Sequence, residues 1–220
     1  MKEMHMKHSV LELKNISKKL KGRNILDNVS VTFNSGQVTA IVGENGSGKS
    51  MLFRVISGLI TSDQGKILYN GEEIRTKVSP VIGIMIDRAS LFPEFNGYEN
   101  LKYLAGIRKT ANDKAIRDCI RRVGLNPDDK RLFEEYSLGM KQRLLLAQAL
   151  IDDPDILILD EVTNGIDDNG KRLVYDIIRE ESQKDKIVII SSHVHADIQE
   201  VSDFVFRMDN GHCMPEIEVM

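Results

Sequence analysis

Long apolar runs are missing from this chain. Within its 220 residues no apolar stretch approaches the roughly 20 residues of a membrane-spanning helix. Met1 to His8 is polar and lacks the apolar centre of a secretory leader, so the chain is expected in the cytosol, where it could still dock on a membrane protein. Cysteine is scarce: Cys119 and Cys213 stand far apart, without metal-type spacing, and no disulfide is expected in a reducing compartment. Excess basic charge is absent too. The formal net charge is −3, so nothing global favours nucleic acid, and the runs Lys18-Lys19-Leu20-Lys21 and Arg121-Arg122 read as solvated faces. His193 and His195 look like a ligand pair but have no third partner, and His195 reads as a surface residue. There are no internal repeats and no low-complexity linker. The length suits one large α/β domain, or such a core with a small inserted lobe.

What is present begins with eight residues, Gly43-Glu44-Asn45-Gly46-Ser47-Gly48-Lys49-Ser50. They fit the phosphate-binding pattern G-x-x-x-x-G-K-[ST], and its required context surrounds them. Val38 to Val42 is an apolar run of strand type, and Met51 opens a helix. The glycines let the backbone wrap an anion closely. The loop N–H groups and the helix N-terminus then face the phosphates. Lys49 should reach the β- and γ-phosphates of a nucleotide, and the Ser50 hydroxyl should sit on Mg²⁺.

Two kinds of strand are legible. Residues 9–15, 25–33 and 65–71 alternate or are bounded by turns, which predicts a half-exposed antiparallel sheet. Val38–Val42, Val81–Ile86, Ile156–Leu159, Ile187–Ile190 and Phe204–Met208 are nearly continuous apolar runs, the pattern of a mostly parallel sheet buried on both faces. Between 94 and 151 no strand is expected. Asn100–Arg108, Asp113–Val123 and Ser137–Ile151 read as helices, so a helical lobe is inserted into the sheet core.

The run Ile156–Leu159 ends in Asp160-Glu161. At such a strand end Asp160 can hold the Mg²⁺ hydration shell, and Glu161 can polarise a water for attack on the γ-phosphate. A strand merely running into an acidic loop is the plainer alternative. Ser137 is placed to start the helix that runs to Ile151. Its hydroxyl and the first N–H groups there can make a second anion site, with an ordinary Ser N-cap as the plainer alternative.

Tyr136-Ser137-Leu138-Gly139-Met140-Lys141-Gln142-Arg143, just before the acidic strand, resembles the signature of the ATP-binding subunits of ABC transporters. The resemblance covers nearly everything from Val10 to Met208. It implies a P-loop NTPase of ABC ATPase type over 9–210: a nucleotide-binding core at 9–87 and 152–210 with an antiparallel β part, a helical subdomain over about 88–151 carrying the signature, and a flexible tail at 1–8. It also implies that Ser137 and Gly139 serve a nucleotide bound by another subunit. Asn164-Gly165-Ile166-Asp167 resembles the D-loop, with Asp167 at the dimer seam. Ser191-Ser192-His193 resembles the switch segment, whose histidine, here His193, senses the γ-phosphate.

Leu138 and Met140 stand where the signature usually has Gly and Gln, and Val162 where a proline is usual, but two other departures weigh more. Asp87 stands where a glutamine normally touches Mg²⁺, a feature that looks like the bacitracin- and lantibiotic-export branch. Leu20 stands where an aromatic ring usually stacks on adenine, so base selectivity is expected to be loose and GTP should compete with ATP within about one order of magnitude. The resemblance implies an ATPase needing ATP, Mg²⁺, a second ATPase subunit and a separate membrane permease, at the inner face of the cell membrane and working in export. The alternative is a soluble ABC ATPase in assembly or repair. The coiled-coil repair form is excluded, because the segment from Ser50 to Ser137 has no sustained heptads.

Overall fold

The computed structural model describes residues 8–74, 77–86, 90–109 and 111–216. The alternating segments pair as expected. β1 (Val10–Leu20) and β2 (Arg23–Asn34) form an antiparallel hairpin, longer than their alternation indicated. They share a four-stranded sheet with β4 (Gln64–Tyr69) and β5 (Glu72–Glu73), in the order β2-β1-β4-β5.

The apolar runs build the second sheet. Its strands are β3 (Val38–Val42), β6 (Ile82–Met85), β7 (Ile156–Asp160), β8 (Ile187–Ser191), β9 (Phe204–Asp209) and β10 (His212–Pro215). Their order is β10-β9-β3-β8-β7-β6. All neighbours are parallel except the edge strand β10, which folds back on β9. β10 has no continuous apolar run and was not legible beforehand.

Each central strand feeds two cores. Ile156 and Ile158 of β7, with Ile187 and Ile189 of β8, pack against α1 (Lys49–Ile56) and the antiparallel sheet, through Phe53, Leu52, Phe33 and Leu13. Leu157, Leu159, Val188 and Ile190 point the other way, toward the helices. Burial on both faces is why these strands read as unbroken apolar runs.

The helical layer contains α2 (Gly97–Arg108), α3 (Asp113–Arg122) and α4 (Leu138–Leu150), followed by α5 (Asp168–Gln183) and α6 (His195–Val201). The first four start on a polar cap: Asn96, Asn112, Ser137 and Asp167 each accept a backbone N–H from the first turn. Glu99 returns the bond to the Asn96 amide, completing a capping box.

The basic runs are neutralised by nearby acids, but Arg122 departs from the expected solvated face: it is half-buried against the buried Glu181. Lys18 pairs with Asp63, Arg121 with Asp118, and Arg122 with Glu180 and Glu181. Of the expected tail, residues 1–7 lie outside the described residues, and His8 Nδ1 sits 3.7 Å from Asp185 Oδ1 rather than standing free. Among the described residues no helix is long and apolar enough to cross a membrane.

Candidate functional site

Parallel strands put all their C-terminal ends on one edge, and the loops leaving that edge meet. Three of them matter here: the loop after β3, the acidic turn after β7 and the loop after β8.

The first is the phosphate loop. Gly48 stands at the N-cap of α1 with φ +116°, and no side chain caps the helix. The first N–H groups of α1 are therefore open to an anion. A side chain at Gly43 would come within 2.3 Å of the Met208 carbonyl, and one at Gly48 within 2.8 Å of the Ile25 carbonyl. The loop is thus wedged tightly against β9 and β2. The Ser47 hydroxyl is buried in it without a partner, an orphan that a phosphate oxygen would satisfy. Lys49 lies across the loop, donating to the carbonyls of Gly43 (2.6 Å) and Glu44 (3.1 Å). Burial lowers its pKa, against the pull of Glu161 and Asp160. Glu44, Asn45 and Gly46 are exposed at the loop's crest, and Met51 is buried beneath it.

The acidic turn joins this loop from the side. Ser50 Oγ donates to Asp160 Oδ2 at 2.8 Å, and Ser191 Oγ donates to Asp160 Oδ1. Asp160 therefore ties α1, β7 and β8 together. The bond from Ser191 had no sequence signal of its own. It follows from the parallel register that sets Asp160 opposite Ser191.

Glu161 leaves the strand with φ +56°, a left-handed conformation that costs a non-glycine residue about 1–2 kcal/mol. Its amide donates to the Ser191 carbonyl at 3.1 Å. The His193 amide donates to Glu161 Oε2 at 3.3 Å, and His193 Nε2 lies 3.2 Å from Oε1. Burial raises the Glu161 pKa, and His193 works against it. An open cavity of about 450 Å³ lies between Gly43 and Glu44 on one side and His193 and the start of α6 on the other.

Ser137 and Gly139 stand in a second group. Ser137 is exposed at the start of α4, where its hydroxyl accepts the Met140 amide at 3.3 Å. Leu138 is 58% exposed, yet it covers Gly165, where a side chain would meet Leu138 Cδ2 at 2.2 Å. The signature segment is therefore packed on residues 164–167, with Asp167 exposed at the start of α5. Among the described residues no hydrogen bond or ion pair joins Ser137 or Gly139 to the phosphate loop. Leu20 is half exposed at the end of β1. Asp87 lies outside the described residues.

No three His, Cys, Asp or Glu side chains converge among the described residues to cage a metal. What the site offers is one hydroxyl and one carboxylate, Ser50 and Asp160, in contact. That donor set fits Mg²⁺, which keeps most of its waters and binds through few protein oxygens plus substrate phosphates.

A family profile described as ABC transporter matches residues 26–164. YybJ of Bacillus subtilis (strain 168), an uncharacterized ABC transporter ATP-binding protein, is 42% identical over 204 residues, 92% of this chain and 94% of that protein. The lantibiotic transport ATP-binding protein SrtF of Streptococcus pyogenes is 34% identical over 209 residues, 95% of this chain and 91% of that protein. The dimeric structure of the ATP-binding cassette MJ0796, in a post-hydrolysis state bound to ADP and Pi, has a similar fold, with TM-score 0.84 at 21% identity over 94% of this chain and 97% of that one. The likeness extends through both sheets and the helical layer, and the chain belongs to the ABC transporter family, among its ATP-binding proteins.

Proposed function

We propose that this chain is an ATP-hydrolysing subunit that dimerises around MgATP and drives export by a separate membrane permease. The observation that carries this reading is a divided site. Lys49, Ser50, Asp160, Glu161 and His193 converge at one sheet edge, while exposed Ser137 and half-buried Gly139 stand apart, joined to them by no hydrogen bond or ion pair among the described residues. Each group lacks what a second copy or a related subunit would bring.

In this reading the loop amides from Gly43 to Met51, with Lys49, hold the phosphates of ATP. Mg²⁺, held by Ser50 and Asp160 with Asp87 as the third oxygen donor, would neutralise phosphate charge. Glu161 orients the attacking water and accepts its proton, a task suited by a carboxyl whose pKa burial has raised. His193 steadies Glu161 and contacts the γ-phosphate. From the partner come Ser137 and Gly139, a helix start facing that phosphate, and Asp167 at the seam. Leu20 meets the base without a ring to stack on it.

The permease contact is read from the segment before α2 and from α2 itself. Phe92, Phe95 and Tyr103 form an aromatic cluster with centroids 5.0 to 6.1 Å apart. Buried Asn100 pins the loop beneath them, accepting the Phe92 amide and donating to the carbonyls of Phe92, Phe95 and Asn96. Tyr103 and Ile107 are exposed, an apolar surface on which a permease helix would seat the chain at the inner face of the membrane. The helical lobe expected over about 88–151 would carry that contact. The relatives named for transport support this direction of reading.

Size-exclusion chromatography with light scattering tests the core of the proposal. With MgATP, Glu161→Gln should trap a dimer that the ADP-bound protein does not form. A monomer at saturating MgATP would overturn it.

A further inference from the structure

Asp197 is 4% exposed and sits two residues into α6, next to the switch segment. A carboxylate so deeply placed is costly unless every lone pair is used. Three hydroxyl donors and one ammonium answer them. The hydroxyls of Thr163 and Ser192 donate to Oδ2, at 2.5 and 3.2 Å. The Tyr175 hydroxyl donates to Oδ1 at 2.6 Å, and the Lys171 ammonium lies 3.5 Å from the same oxygen. Burial alone would raise the Asp197 pKa, but Thr163, Tyr175, Lys171 and Ser192 together hold it below the ordinary value, so the group is ionised.

The origin of the donors is informative. Tyr175 and Lys171 belong to α5 and act as a fixed mount. Thr163 and Ser192 belong to the two loops that carry the chemistry. Thr163 lies in the turn from Glu161 to Asp167, which is closed by Asn164 N to Glu161 O and Ile166 N to Thr163 O. Ser192 precedes His193, and its hydroxyl also accepts the Val194 amide at 3.0 Å, fixing the backbone on the far side of His193. One carboxylate oxygen thus joins the acidic turn to the switch loop.

We propose that Asp197 is a positioning residue for hydrolysis: it clamps Thr163 to Ser192 and so holds His193 against Glu161, and it passes any displacement of the seam turn at Asn164–Asp167 on to His193. The inference rests on the ATPase reading above. It assigns Asp197 no contact with nucleotide. The prediction is therefore a loss in turnover at unchanged nucleotide binding.

The test is steady-state MgATP hydrolysis by the full chain, with thermal melting alongside. Asp197→Asn should lower kcat by about tenfold to a hundredfold, the cost of misplacing a catalytic group by about 1 Å. KM should stay within about threefold. Thr163→Val should do the same, and Thr163→Ser, which keeps the hydroxyl, should restore kcat to within about twofold of the parent. A purely structural Asp197 would lower the melting temperature and leave kcat of the folded protein alone, which overturns the proposal. Should Asp197→Asn fail to fold, the Thr163 pair decides: full turnover in Thr163→Val, or no rescue by Thr163→Ser, overturns it equally. If the parent hydrolyses ATP and these variants do too, only the clamp fails. A parent that hydrolyses none removes the ATPase reading as well.

Discussion

Glu161 and Glu181 are both glutamates tucked into the same sheet-and-helix layer, and they are treated in opposite ways. Glu181, on α5, is 1% exposed and meets three cations: Lys184 at 2.7 Å, Lys186 at 2.5 Å and Arg122 at 2.7 Å. Burial pushes its pKa up, but the hydrogen bonds from Lys184, Lys186 and Arg122 win and bring it down to about 2. Arg122 comes from α3 and Lys186 immediately precedes β8, so this saturated cluster bolts helical layer to sheet. Glu161 has a strained backbone and one imidazole beside it, and burial leaves its pKa raised. Full compensation makes a carboxylate inert and rigid. Partial compensation leaves it basic enough to take a proton. The charges that are best satisfied are therefore not the ones to look to for catalysis.

The contrast can be broken most sharply at Glu161. Glu161→Gln should cut kcat for ATP by about 10²- to 10⁴-fold, while its melting temperature stays level or rises, because an amide has no charge to desolvate. Retained turnover would place Glu161 beside Glu181 as a structural acid. Glu181→Gln should do the reverse. Breaking a buried ion pair costs about 3–5 kcal/mol of unfolding free energy in denaturant titrations, with kcat of the folded protein changed by no more than about twofold. A catalytic defect in a stable Glu181→Gln protein would dissolve the distinction.

Acid sharpens it next. The folded pKa of Glu181 is depressed, so its stabilisation is complete above the ordinary value of 4.5 and is lost as pH falls toward about 2. Urea midpoints should drop over that window in the parent and drop less in Glu181→Gln. Glu161 has the other sign: its raised pKa means stability is lost as pH rises through the folded value, and Glu161→Gln should remove that loss. The smallest effect concerns Asp87, proposed as a third oxygen donor to Mg²⁺. Asp87→Asn should raise the Mg²⁺ concentration needed for nucleotide binding by about a few-fold, since it removes a hard oxygen charge. Superimposable Mg²⁺ titrations would take Asp87 out of the metal site.

The sequence carried most of what has a local cause. The phosphate loop, the acid pair at the end of an apolar run and the Ser137 cap each depend on neighbours within a turn or two, and each appears where its pattern places it. The two buried faces of the parallel sheet were legible for the same reason. What stayed hidden depends on register between distant strands. Ser191 reaches Asp160 because β7 and β8 pair in parallel at that step. Asp197 gathers hydroxyls from segments more than 20 positions away. Leu138 reads as a substitution for a family glycine, and only the fold makes it the cover of Gly165. The edge strand β10 is the exception: it folds back on its neighbour β9 across the two-residue turn Asn210-Gly211, but its own residues neither alternate nor run apolar.

The turn between β9 and β10 has one more consequence. Its Gly211 amide donates to the Ser47 carbonyl at 3.0 Å, and its carbonyl accepts the Asp27 amide at 2.9 Å. The phosphate loop is thus buttressed by a residue, Gly211, that is translated well after it. During synthesis, which proceeds from the N-terminus, the motif emerges from the ribosome long before its brace. A nascent chain halted before β9 would own every letter of the phosphate loop and still lack this brace, so full ATP capture is expected only once the β9–β10 hairpin has formed.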